Sequence, residues 1–168
     1  MIQTVILLGI FPAVMAFAAA SDLVTMTISN RLSLVLVAGF FVAAVMVGMP
    51  LQQVGMHVLA ALMVLSITFG LFAFGWIGGG DAKLAAATAL WFGFGNLLEY
   101  FFLASLMGGG LALLLLAVRR YPLPISLVGT TWIERLHSAK TGIPYGIALA
   151  GAGLLVYPHT VFMRALSG

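Results

Sequence analysis

The chain has no cysteine, so disulfides and thiolate metal sites are excluded. Charge is nearly as scarce. Only 7% of the 168 residues are Asp, Glu, Lys or Arg, whereas a soluble domain carries about 25%. With 63% hydrophobic residues and a mean hydropathy of +1.21, a water-soluble globule is excluded as well. Short alternating apolar segments are missing too, which argues against a membrane β-barrel, so the apolar runs read as membrane helices. No basic residue precedes Arg31. The segment "AFAAASD" has the small residues of a signal-peptidase site, but a cleaved signal normally begins with Lys or Arg. The first span is therefore expected to be retained.

Long apolar runs are what the chain does contain. A span takes about 20 residues at 1.5 Å each. On that measure the sequence predicts an all-α integral membrane protein, a bundle of six transmembrane helices near 2–20, 32–49, 56–76, 83–95, 98–118 and 143–161. The fourth is expected to be short or tilted, because only "GFGN" (Gly93–Asn96) interrupts a run of 35 residues. Residues 1–168 read as a single polytopic domain without internal repeats, with one hydrophilic loop at 119–142. Within that loop, "TTWIERLH" offers a capping box of Thr131 with Glu134 and an interfacial anchor in Trp132. An irregular linker is the alternative reading.

The basic residues sort by side. Arg31, Lys83, Arg119, Arg120, Arg135 and Lys140 fall in connections on one face, and Arg164 alone opposes them. The positive-inside rule makes that face cytoplasmic and puts both termini outside. The net charge of +3 orients the chain in a membrane and implies no nucleic-acid partner.

There are only four acids: Asp22, Asp81, Glu99 and Glu134. Glu134 lies in the loop, and Glu99 is expected near the outer boundary. Asp22 and Asp81 each follow a span that runs inward, so both belong at the cytoplasmic face. A carboxylate inside a span costs roughly 2.5–3.5 kcal/mol on insertion scales, so such residues usually face a polar cavity with a function. Ordinary helix-end charges are the competing account. Gly78, Gly79 and Gly80 precede Asp81 and remove three side chains, which allows a close backbone approach. Clearance for an extended substrate would use that space. A restarted helix after Asp81 places its carboxylate at a positive helix end.

These segments resemble those of one family. "GGGDAKLAAATALWFG" is similar to the GxGD signature of the type IV prepilin peptidases, with Gly78, Gly80 and Asp81 on the motif and Lys83-Leu84 on its continuation. "SDLVTMTISN" resembles the family's other active-site segment, with Asp22, Ile28 and Asn30 matching. Ser29 replaces a proline there, and Thr25-Met26 stand where basic residues are common. "GIPYGIALAGAG" resembles the last span, whose start includes Pro144 and Tyr145. The three occur in family order over essentially the whole chain. Without cysteines or room for a methylating domain, the chain resembles the short, peptidase-only form of the Flp/Tad pilus type.

The resemblance implies an aspartyl endopeptidase of the bacterial inner membrane. Its substrate would be a prepilin or pilin-like protein, cut after a glycine where the cytoplasmic leader meets the bilayer helix. Two carboxylates held close resist being ionised together and share a proton. One then activates water as a general base while the other protonates the scissile carbonyl oxygen. Asp22 and Asp81 are the expected dyad, with no cofactor, no metal and no methyl transfer. Gly78–Gly80, Asn30, Lys83, Pro144 and Tyr145 are expected to shape the site, Lys83 alternatively serving as a snorkelling anchor. Gly142, Gly146 and Ala150 read as a small-residue packing ridge. The histidines 57, 137 and 159 share no helix face. The oligomeric state is not set by the sequence. The rival reading is a proton- or cation-coupled transporter or an assembly scaffold. A GxGD enzyme of the presenilin or signal-peptide-peptidase kind matches at that motif alone.

Overall fold

A computed structural model describes residues 2–167. The described residues form helices and no strand: α1 (Ile2–Thr25), α2 (Asn30–Met46), α3 (Leu51–Ala73), α4 (Gly79–Val118), α5 (Thr131–His137), α6 (Tyr145–Val156) and α7 (Val161–Ser167). Short 3-10 turns stand at Ile125–Leu127 and Tyr157–His159. Leu7–Thr25, Leu51–Ala73 and Gly79–Val118 are long and apolar enough to cross a membrane, and α2 is a shorter apolar helix.

At 40 residues, α4 would measure about 60 Å if straight, twice the hydrocarbon thickness. It is not straight. Gly93 has φ 56° and ψ −172°, outside helical values, and φ in that range is readily adopted only by glycine. There the chain reverses into two limbs, 79–92 and 94–118. The proof is at the far ends. Asp81 and Gly108 would stand roughly 40 Å apart on a straight helix, yet Gly108 lies against Tyr145 at the start of α6. Asp81 shares a cavity with Asp22, which bonds Gly146 in the same turn. The sequence expectation of a short helix before "GFGN" and a longer one after it matches these limbs.

His57 of α3 secures the reversal. Its Nδ1 hydrogen-bonds the Leu90 carbonyl at 2.8 Å, near the end of the first limb. A Cβ on Gly93 would meet the His57 ring at 2.8–3.0 Å, so the ring occupies the space of the missing side chain.

Other boundaries shift from the sequence expectation. α1 runs on through Asp22 to Thr25 rather than ending near 20. The last span, expected over 143–161, is the 12-residue α6, then a turn, then α7. Pro158 lies in that turn and has no amide proton to continue the helix. The expected capping box is not formed. Thr130, not Thr131, is the N-cap of α5, and Glu134 Oε1 accepts from the Gly129 amide at 2.8 Å. Gly129, with φ 95°, turns the backbone so that its own N–H meets the carboxylate.

Packing centres on aromatic rings. Phe11 stacks on Tyr157 at 4.4 Å between centroids, and Trp91 lies 5.0 Å from Phe162 and 5.3 Å from Phe11. The polar tips are satisfied: Trp91 Nε1 donates to the Leu36 carbonyl at 2.9 Å and Tyr157 Oη to the Leu7 carbonyl at 2.6 Å. Outward positions are apolar instead, with Leu51, Leu98 and Val45 more than four-fifths exposed. Such a surface is at ease in hydrocarbon and not in water.

Candidate active site

α1 ends in a turn that bends back on itself. The Met26 amide donates to the carbonyl of Asp22 at 2.8 Å, closing the last helical turn. Met26 has φ 53°, the left-handed conformation that usually ends a helix on glycine. Hydroxyls tie the turn: Ser21 Oγ donates to the Thr27 carbonyl at 2.9 Å and Thr25 Oγ1 to the Ser21 carbonyl at 2.7 Å. Ser29 then caps α2, accepting from the Arg31 amide at 3.3 Å. Its φ of −65° is the value a proline ring imposes. A proline would therefore fit the same backbone conformation at position 29.

The turn delivers Ile28 as a wedge. A Cβ on Gly80 would lie 3.1 Å from Ile28 Cβ, and one on Gly146 would lie 2.6 Å from Ile28 Cδ1. One side chain thus holds the starts of α4 and α6 together.

Asp22 is buried, in the last turn of α1. Its Oδ2 accepts from the Gly146 amide at 2.7 Å, and the Ile147 amide, which donates to the Pro144 carbonyl at 3.3 Å, faces the same carboxyl group. These amides belong to the first turn of α6, whose N-cap, Pro144, gives no side-chain bond. Asp22 thus supplies from another helix the cap that α6 lacks, at the end where a helix favours an anion.

Asp81 sits in the first turn of α4, after the extended N-cap Gly78. It turns back to the Gly78 amide, the acid half of a capping box. Its Oδ1 is buried with no hydrogen-bond partner among the described residues.

The two carboxyl groups feel each other's charge and line one cavity of about 300 Å³ with Met26, Thr27, Ile28, Gly78, Gly79 and Gly80. Helices 59 positions apart in the chain thus contribute one acid each.

The three glycines do something narrower than expected. None has a positive φ, so any residue tolerates their backbone. What they lack is room: a Cβ on Gly78 would meet Asp81 Oδ2 at 2.9 Å, and one on Gly79 would meet the Phe72 ring at 3.2 Å. Much of the space expected for a substrate is filled by the chain itself, although all three still line the cavity.

Among the described residues Lys83 makes no ion pair with Asp81. Its Nζ donates to Asn30 Oδ1 at 2.9 Å, tying α4 to the first residue of α2. Pro144 is buried ahead of α6. The Tyr145 ring lies over Gly108 of the second α4 limb, and its hydroxyl donates to the Ala104 carbonyl at 3.3 Å.

Sequence reasoning misses two contributors. It places Gly146 in a packing ridge, but Gly146 faces Asp22, while Gly142 lies outside α6 in open space. It passes over Gly108, although "GGG" at 108–110 is a visible signal. Only the first of those three glycines is filled by a neighbour. Glu99, expected as a boundary charge, pairs with His159 at 2.9 Å, away from this site.

A family model described as the type IV leader peptidase family matches residues 9–113. The chain belongs to that family. Membership makes it a peptidase, a hydrolase of peptide bonds, and agrees with the resemblance read from the motifs. The matched span contains Asp22, Asn30, Gly78–Asp81 and Lys83, and stops before Gly146. Comparison with curated proteins and with solved structures finds no match.

Proposed function

We propose that the chain is a membrane aspartyl endopeptidase that removes the leader of type IV prepilins of the Flp/Tad kind, without methylating the product. The observation that carries this reading is the shared cavity of Asp22 and Asp81, in a chain of the leader peptidase family. Water enters between the carboxyl groups. One removes its proton as it attacks the scissile carbonyl, and the other donates a proton to the carbonyl oxygen. Collapse of the tetrahedral intermediate then needs a proton on the leaving nitrogen, which the same pair returns. The proton count closes, and no covalent enzyme intermediate or cofactor is required.

The site belongs at the cytoplasmic face of the inner membrane, in a single domain of six membrane segments with both termini outside. Basic side chains at the same end of the bundle support that orientation, with Arg135 bonded to the Val24 carbonyl and Lys83 to Asn30. The prepilin would keep its apolar helix in the bilayer and present its leader junction to the cavity beside Gly78–Gly80.

The test is leader removal from a co-expressed candidate prepilin, read on a gel. Asp22→Asn and Asp81→Asn each exchange a carboxyl oxygen for an amide nitrogen, and the oxygen that Asp22→Asn retains can still accept from the Gly146 amide. Each variant is expected to lower cleavage by at least about 100-fold. Undiminished processing by both variants sinks the dyad. Ion or solute flux in vesicles that is lost in Asp81→Asn, with no cleavage by the wild type, would favour a transporter instead.

A further inference from the structure

We propose that Arg119 is a positioning residue for Asp22, acting through the start of α6; the reading of Asp22 as half of the dyad underlies its effect on cleavage. Arg119 is the C-cap residue of α4. Its guanidinium contacts no carboxylate among the described residues and goes instead to three backbone carbonyls. Nε and one terminal nitrogen donate to Leu136 at 3.0 and 2.8 Å. The same terminal nitrogen donates to Gly142 at 2.9 Å, and the other reaches Thr141 at 3.4 Å. Only a planar group with five donors serves so many acceptors at once; a lysine ammonium is a single point with three.

Gly142 lies four residues before Gly146, and the intervening chain has little slack. Pro144 is buried with its φ at −71°. Tyr145 is fixed by its ring over Gly108 and its hydroxyl on the Ala104 carbonyl. The next amide is the one that holds the Asp22 carboxylate. Every fixed point before it, Arg119, Gly108 and Ala104, belongs to the second limb of α4 or its cap. That limb sets where Gly146 stands, and Gly146 sets where Asp22 points.

The same strap holds Asp22 from its other side. Arg135 donates to the carbonyl of Val24, two residues beyond Asp22, at 3.0 Å. Thr141 joins the two arginines, bonding the Arg135 carbonyl through its hydroxyl and Arg119 through its own carbonyl. The 119–142 loop is thus a clamp with one arm on the helix that bears the aspartate and one running into the helix that donates a hydrogen bond to it.

The test has two readouts on the full chain in detergent or lipid. Tyr145-Gly146 is the only Tyr-Gly pair in the sequence, so carbonyl-13C tyrosine with 15N-glycine gives one selected amide signal, that of Gly146. A short bond to a carboxylate places that proton downfield, and Asp22→Asn must move it. In Arg119→Ala the signal is expected to move upfield or broaden, with Arg119→Lys between it and wild type. In the cleavage assay kcat is expected to fall about 10- to 100-fold, with KM within about twofold and partial recovery in Arg119→Lys. If Arg119→Ala does not fold, Arg119→Lys decides alone. A Gly146 signal and kcat unchanged in a folded variant overturn the proposal, as does a loss confined to KM. If wild type cleaves nothing while the Gly146 signal responds to both Asp22 and Arg119, the peptidase reading fails and the positioning role stands.

Discussion

The amide of Gly146 and the carboxylate of Asp22 meet at 2.7 Å across 124 positions of chain. Their contact leaves no space for a side chain, since a Cβ on Gly146 would lie 2.8 Å from Asp22 Oδ2 and 2.6 Å from Ile28 Cδ1. Gly146→Ala is therefore expected to push the aspartate or the Ile28 wedge aside. Cleavage should fall by about 100-fold, the usual effect of displacing a reacting group by about 1 Å. A gel assay of leader removal, beside a thermal melt to check folding, decides it. Wild-type activity in a folded Gly146→Ala would remove the significance given to this contact.

Gly78 and Gly79 are neighbours with opposite expectations. An added methyl on Gly78 meets the Asp81 carboxylate itself, at 2.9 Å. One on Gly79 meets only the ring of Phe72, at 3.2 Å, and that ring is exposed and able to swing away. Gly78→Ala should impair cleavage by about tenfold or more, roughly 1.4 kcal/mol in the barrier, while Gly79→Ala stays within about threefold of wild type. Equal effects of the two would show that local clearance at Asp81 is not what the glycines provide.

Met26 holds a left-handed conformation beside Asp22 and Asp81. That conformation costs a non-glycine residue roughly 1–2 kcal/mol. Met26→Gly removes the penalty and a side chain from the cavity wall together. The expected result is an unchanged or higher unfolding midpoint with a raised KM for the prepilin. A lowered midpoint with unchanged KM would contradict both parts.

Ser29→Pro tests the first loop. The φ of −65° already suits proline, but the hydroxyl cap on the Arg31 amide is lost. Loss of a cap, about 1 kcal/mol, is offset by the smaller entropy of the unfolded chain, about 0.4–1 kcal/mol. Stability within about 1 kcal/mol of wild type and retained cleavage are expected. Lost cleavage in a folded variant would mean that the serine hydroxyl has a further task.

Much of this site is readable in one dimension because scarcity makes it so. With only four acids in a chain of 168 residues, the two at the ends of apolar runs stand out against hydrocarbon, where each must have a reason. The glycines before Asp81 and the Asp22–Asn30 segment carry the family likeness, and the family match covers both. Apolar runs likewise determine the helical class, since a backbone in lipid has to satisfy its own hydrogen bonds.

What the sequence could not set were the relations between distant segments. "GFGN" marks a weak break but not that Gly93 reverses the helix around His57, because the partner ring lies on α3. Gly146 looks like one small residue among several, and only the approach of α1 makes it the donor to Asp22. Lys83 finds Asn30, and Arg119 finds the carbonyls ahead of α6, through contacts that no spacing encodes. Composition and motif identify which groups can do chemistry. Hydrogen bonds and exclusion of volume between helices far apart in the chain decide where those groups stand.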